Sequence, residues 1–269
     1  SALRRLTPTE YRNTVRDMFP GVSIPDVALA TDLVVGGFDN SAEGQTVSPL
    51  LTENYQRAGV AIGAAVTGDL ARWAPCTTNA AACAAQITEL VAMRAQRRPL
   101  STEERALFVG LVEATRAESG LGDAIAALVE ALLMTPQFLY RPELGAVGRA
   151  APAGLVALDD YELASRLSYF LWRSMPDEVL FDAAAAGELS DVALLEGHAR
   201  RMLEDPRAHE TIADLHAQWF QVRRVDALAL DTTAFPEFDS ALQDDTCISA
   251  SPTDAPSATR TTWTFASPR

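Results

Sequence analysis

Three histidines, His198, His209 and His216, are the residues best suited to metal or proton chemistry in this chain, and they crowd into one short window. His209 and His216 are seven positions apart, so they share a helix face, with Asp214 close by. Such a set suits metal ligation or an axial contact to a partner's haem, but ordinary helix-surface histidines have the same spacing. No His-Glu-x-x-His pattern separates the two readings. A second candidate is Gly36-Gly-Phe-Asp-Asn40 with Glu43, where Asp39 and Asn40 offer oxygen ligands in a loop. Calcium requires more oxygens at tighter spacing, and an Asx turn that pins the loop is the competing reading.

Paired carboxylates occur at Glu103/Glu104, Asp159/Asp160 and Asp244/Asp245. The first two pairs stand at helix starts, where acids favour the dipole, so capping accounts for them without catalysis. Tyr169, Phe170 and Trp172 form an aromatic set able to stack on a sugar or a partner. Core packing is the expectation for Phe170, while Tyr169 and Trp172 are left open. Arg166 is an anion-binding candidate, with Glu162 four residues earlier as its expected ion-pair partner. No Gly-x-Gly-x-x-Gly, P-loop or Gly-x-Ser-x-Gly pattern supports a nucleotide or serine-hydrolase reading. The sequence therefore names no catalytic residue, no metal site and no cofactor-binding residue.

The elements that would position these residues are helical. Residues 158–177 carry the strongest signal, with Asp159 as N-cap, Glu162 closing the box and Pro176 ending the helix. Leu163, Ala164, Leu167, Phe170 and Leu171 form its expected apolar stripe; Glu162, Arg166, Tyr169 and Arg173 form its polar one. Thr7-Pro8-Thr9-Glu10 starts a first helix, and a long connection over residues 20–47 follows. Ser48-Pro49 starts a second. A third runs from about 79 to 96, and Ser101 to Glu104 opens a fourth that carries Leu107, Leu111 and Val112. A fifth spans about 122–135. Beyond the central helix come one over about 177–186, one capped by Ser190, and one opening at Asp205-Pro206 with Ile212, Leu215 and Trp219. No segment alternates with period two, so the expected class is all-α, built of multi-helix modules.

The 269 residues include 22 Lys plus Arg, all of them Arg, and carry a net charge of -14. That acidity disfavours nucleic acid and suits cationic partners. No run of about 18 apolar residues occurs, so no membrane span is expected. Cys76 and Cys83 bracket a short loop, and a disulfide between them implies an oxidising compartment; two buried thiols are the alternative. From Thr246 the composition turns to Ser, Thr and Pro, which reads as a disordered or aberrant tail. Phe235 to Asp245 reads as a helix interrupted mid-way. The start at Ser1, with no initiator Met, suggests a fragment or processed product.

Several stretches resemble exported, cytochrome-associated multi-domain proteins of unknown function from planctomycetes and myxobacteria. They are Leu3 to Asp17 with Gly37-Phe-Asp-Asn40 and Ser48-Pro49; Arg97 to Ser101 with Pro136 to Arg141; and Leu158 to Pro176 with Phe235-Pro-Glu-Phe238. The resemblance implies three consecutive modules, over residues 1–68, 76–142 and 155–245, the last one truncated, ahead of the tail at 246–269. It implies an exported location (periplasm, envelope or secreted) and a c-type cytochrome domain, of this or another chain, as partner. No Cys-x-x-Cys-His occurs, so haem c would belong to a neighbouring domain. The functional expectation is a non-catalytic scaffold or interaction region. The alternative is an extracytoplasmic, polysaccharide-acting enzyme using carboxylates and aromatics between modules.

Overall fold

Side-chain caps start most of the helices. In the computed structural model, which describes residues 3–146, 148–149, 151–152 and 154–221, a two-residue strand β1 (Arg4–Arg5) precedes α1 (Pro8–Met18). Thr7 Oγ1 accepts from the Glu10 backbone N–H at 3.2 Å and Glu10 Oε2 accepts from that of Thr7 at 2.8 Å, a reciprocal capping box. After the long connection come α2 (Pro49–Thr67), α3 (Leu70–Trp73), α4 (Ala81–Gln96), α5 (Thr102–Ser119), α6 (Leu121–Leu133), α7 (Pro136–Leu139) and the strand β2 (Tyr140–Arg141). Then follow α8 (Asp160–Trp172), α9 (Glu178–Ala185), α10 (Val192–Leu203) and α11 (Pro206–Trp219). The fold is all-α, with, among the described residues, one antiparallel ladder that pairs Arg4 with Arg141 and Arg5 with Tyr140. No described helix is long and apolar enough to cross a membrane.

The expected boxes at Ser101/Glu104 and Asp159/Glu162 both form. The helix expected to be capped by Ser190 begins one residue later: Asp191 Oδ1 accepts from the N–H groups of Ala193 and Leu194, and a carboxylate there also favours the dipole.

The main core centres on α6, whose Ile125, Leu128, Val129, Leu132 and Leu133 are buried against α2, α4 and α5. The approach of α2 depends on two glycines. A Cβ at Gly59 would lie 3.2 Å from Glu130 Cα, and one at Gly63 would lie 3.0 Å from the Ala126 carbonyl oxygen. On α5 the buried residues are Phe108 and Val112, while Leu107 is exposed. A second apolar cluster gathers Ala164, Leu171 and Trp172 of α8 with Leu180, Ala183, Ala184, Leu189, Met202 and Ala208.

The faces of α8 differ from the expected stripes. Phe170 is 73% exposed and Tyr169 is buried. Tyr169 joins the main core and Trp172 the second, so α8 serves two cores, and Phe170 lies outside both. Ile212, Leu215 and Trp219 of α11 are exposed. Contacts divide the chain into two compact units, Ser1–Ile212 and Ala213–Arg269. The second is described only to residue 221. The interrupted helix over 235–245, Phe235-Pro-Glu-Phe238, Cys247 and the tail over 246–269 lie outside the described residues.

Candidate functional site

The polar interior is organised around arginine. Arg97 ends α4 in the left-handed region, φ 60°, which turns its side chain back into the protein. Its guanidinium donates to the carbonyls of Ala95 (3.1 Å), Phe138 (3.2 Å), Gln137 (2.5 Å) and Tyr140 (2.8 Å). Five donors in a planar fork match that cage of acceptors, and lysine would not. Arg97 lies 5.6 Å from the Tyr169 ring centroid and Arg141 lies 4.8 Å from it; both contacts are cation–π. The Tyr169 hydroxyl and Thr14 Oγ1 are 2.8 Å apart and hydrogen-bonded. Burial pushes the Tyr169 phenol above its ordinary pKa, against the pull of the Arg97 charge and the Thr14 hydrogen bond. Burial likewise pulls Arg97 below the usual guanidinium range.

A similar arrangement holds the long connection. Arg5 is buried, pairs with Asp32 of that connection and donates to the Tyr55 hydroxyl at 2.6 Å. Gln45 bonds the Arg5 backbone in both directions, each at 2.8 Å. Burial raises the Asp32 pKa, and the Arg5 charge works the other way.

Trp172 donates to the Met202 carbonyl at 3.0 Å and is contacted by two arginines, Arg207 at 3.6 Å and Arg201 at 5.5 Å from its ring centroid. Arg207 reaches Asp17 of α1 at 3.3 Å, and the Ser174 hydroxyl donates to the same carboxylate at 2.6 Å. Burial works against the charged form of Arg207, but hydrogen bonding to Asp205 and the charges of Asp17, Asp205 and Asp177 outweigh it and raise its pKa. Beside this contact lies a cleft of about 430 Å³, lined by residues from α1, α4, α9, α11 and the turn between α8 and α9.

The residues singled out from sequence do not converge. Tyr169 and Trp172 are buried in different cores and present no open stacking face. Arg166 pairs with Glu143, not with Glu162. Glu162 instead accepts from the backbone N–H groups of Leu144, Gly145 and Asp159. Asp39 and Asn40 follow a tight turn at Gly36-Gly37, both with positive φ, closed by reciprocal Val35–Phe38 backbone bonds at 3.0 and 3.1 Å. That turn is a glycine device. His216 is exposed and stacks on Phe220 at 6.1 Å. His198 stands on α10 and His209 on an exposed part of α11. No group of three or more potential ligands that could hold a metal occurs among the described residues. Cys76 and Cys83 form a disulfide, with Cα atoms 5.8 Å apart. The caging role of Arg97 was missed; its one sequence signal is a position just past the end of α4.

Comparison with protein families gives three matches in chain order. Residues 4–68 match PSD3, a protein of unknown function (DUF1587). Residues 83–143 match PSD5, a protein of unknown function (DUF1595). Residues 158–251 match PSD4, a protein of unknown function (DUF1592). Three consecutive modules of unknown function are present. No curated protein matches the chain, and no solved structure does. Mapped onto the fold, Thr14 comes from the DUF1587 module, Arg97 and Arg141 from the DUF1595 module and Tyr169 from the DUF1592 module. The cleft takes residues from all three as well.

Proposed function

We propose that the chain is a non-catalytic scaffold or interaction region of an exported bacterial protein, working beside a c-type cytochrome domain. The observation that carries this reading is the Thr14–Tyr169–Arg97–Arg141 network, in which one buried tyrosine ties three family modules together. A rigid composite of this kind suits the holding of partners at a fixed separation. The Cys76–Cys83 disulfide supports an oxidising compartment. The carboxylates at the helix starts cap backbone and pair with arginine, as at Glu104 with Arg98 and Asp160 with Arg149. A net charge of -14 favours a partner with a cationic face, whose association would be steered by charge and weakened by salt.

The test is calorimetric titration of the full chain with a basic, haem-loaded c-type cytochrome at low and at high ionic strength. Saturable binding at low salt that fades at high salt is expected. No binding at low salt would overturn the assignment of the partner.

A further inference from the structure

One ion pair in the cleft is unlike the others. Arg94 of α4 is a nearly buried cation, its side chain 13% exposed, held in place by donation to the Met18 carbonyl at 2.8 Å. Its other terminal nitrogen meets Glu178 at 2.7 Å, yet the Glu178 side chain is 78% exposed. A fixed guanidinium is therefore matched by a carboxylate standing in solvent. Pairs whose carboxylate stands in solvent contribute little, so the partner is replaceable. Arg16, on the cleft wall, is 3.6 Å from Asp17 and its side chain is 56% exposed, so it is held loosely. The remaining acids are firmly engaged. Asp17 accepts from Ser174 and Arg207. Asp177 accepts from Arg201 and caps α9 through the Leu180 N–H. Met175, Pro176 and Pro20 supply the apolar part of the lining, and the cleft's volume lies in the range of small-molecule sites.

We infer that this cleft takes a small organic carboxylate with an apolar body, and that Glu178 is its built-in occupant. The ligand's carboxylate replaces that of Glu178 on Arg94, Arg16 closes on it from the α1 side, and the apolar body lies against Met175. Displacing Glu178 leaves Arg16, Arg94 and Arg207 facing Asp17 and Asp177, a local excess of one positive charge. An anion is thus accepted within a chain that is acidic as a whole. The site needs all three modules, and it does not depend on the cytochrome partner.

The experiment is an NMR titration of the 15N-labelled full chain with 3-phenylpropionate, its neutral amide and inorganic phosphate. Expected are saturable shifts at the amides of residues 16–19, 21, 94, 175, 177 and 178 with phenylpropionate and none with the amide. Glu178→Gln should bind about two- to fivefold tighter, as loss of a weak internal competitor requires. Arg16→Gln, at an exposed position that leaves the fold intact, should bind more weakly. Phosphate binding as tightly as phenylpropionate would overturn the carboxylate assignment. Unchanged or weaker binding in Glu178→Gln, or no saturable shift in those segments, would overturn the site.

Discussion

Arg97 and Arg94 stand three residues apart at the end of α4, and their surroundings are opposite in kind. Arg97 is sealed in a cage of backbone carbonyls and a tyrosine hydroxyl. Those acceptors are part of the chain's course and cannot swing away. Arg94 shares its charge between one carbonyl and one solvent-exposed carboxylate. The first arrangement is a cross-link, because losing Arg97 takes the donor from the buried bonds to the Ala95 and Phe138 carbonyls. The second is exchangeable, because its acidic partner returns to water at small cost. The same side chain serves as structure in one place and as a receptive surface in the other, and the acceptor type decides which.

The largest effect should come from Arg97→Ala. Two buried and two part-buried carbonyl bonds would lose their donor at about 1–3 kcal/mol for each buried one, with relief from water at the others, for a loss of about 3–5 kcal/mol in denaturant melting. A loss below about 1 kcal/mol would break the comparison, since Arg97 would then behave as a surface residue. Arg97→Lys should fall between, because the charge survives and the fork does not.

Tyr169→Phe keeps the ring beside its two arginines and removes the hydroxyl's bonds to Thr14 and, at 3.5 Å, to Arg97. About 0.5–1.5 kcal/mol is expected by the same measurement, and a larger loss would show that the hydroxyl, more than the ring, joins the modules.

Asp205 gives a pH-resolved version. Its hydrogen bond from Arg207 holds the carboxyl below its usual pKa. A folded pKa below the unfolded one contributes stability that is present above the usual carboxylate range. That stability is lost as pH falls through the folded value. Asp205→Asn should therefore melt lower than the parent at neutral pH, by no more than about 1 kcal/mol, and the two should converge in acid. A difference that persists in acid would assign the effect to packing.

Glu178→Gln should be the smallest, within about 0.5 kcal/mol in thermal melting. A clear destabilisation would mean that the pair is structural and would erase the contrast with Arg97.

What could be read from the sequence follows from the range of the interactions. The boxes at Thr7/Glu10, Ser101/Glu104 and Asp159/Glu162 close within one helical turn, so local spacing reveals them. The partner of Arg166 is 23 residues away, and a nearer acid at Glu162 was the natural but incorrect choice. The side of α8 that Tyr169 occupies depends on Thr14 and Arg141, which no periodicity encodes. A tyrosine counts as polar or apolar according to whether its hydroxyl finds a partner. On α5, neighbouring apolar residues compete for one face, and the packing of α6 buries Phe108 and leaves Leu107 exposed.

The glycine-lined approach of α2 to α6 has a consequence for biosynthesis. The buried face of α2, with Ala58, Ile62 and Val66, leaves the ribosome more than fifty residues before α6 begins. At usual translation speeds that face waits on the order of 3–10 s without its main partner. The DUF1587 module is thus an incomplete folding unit when first made, and a break in the chain before Leu121 would release a helix whose apolar side has nothing to cover it.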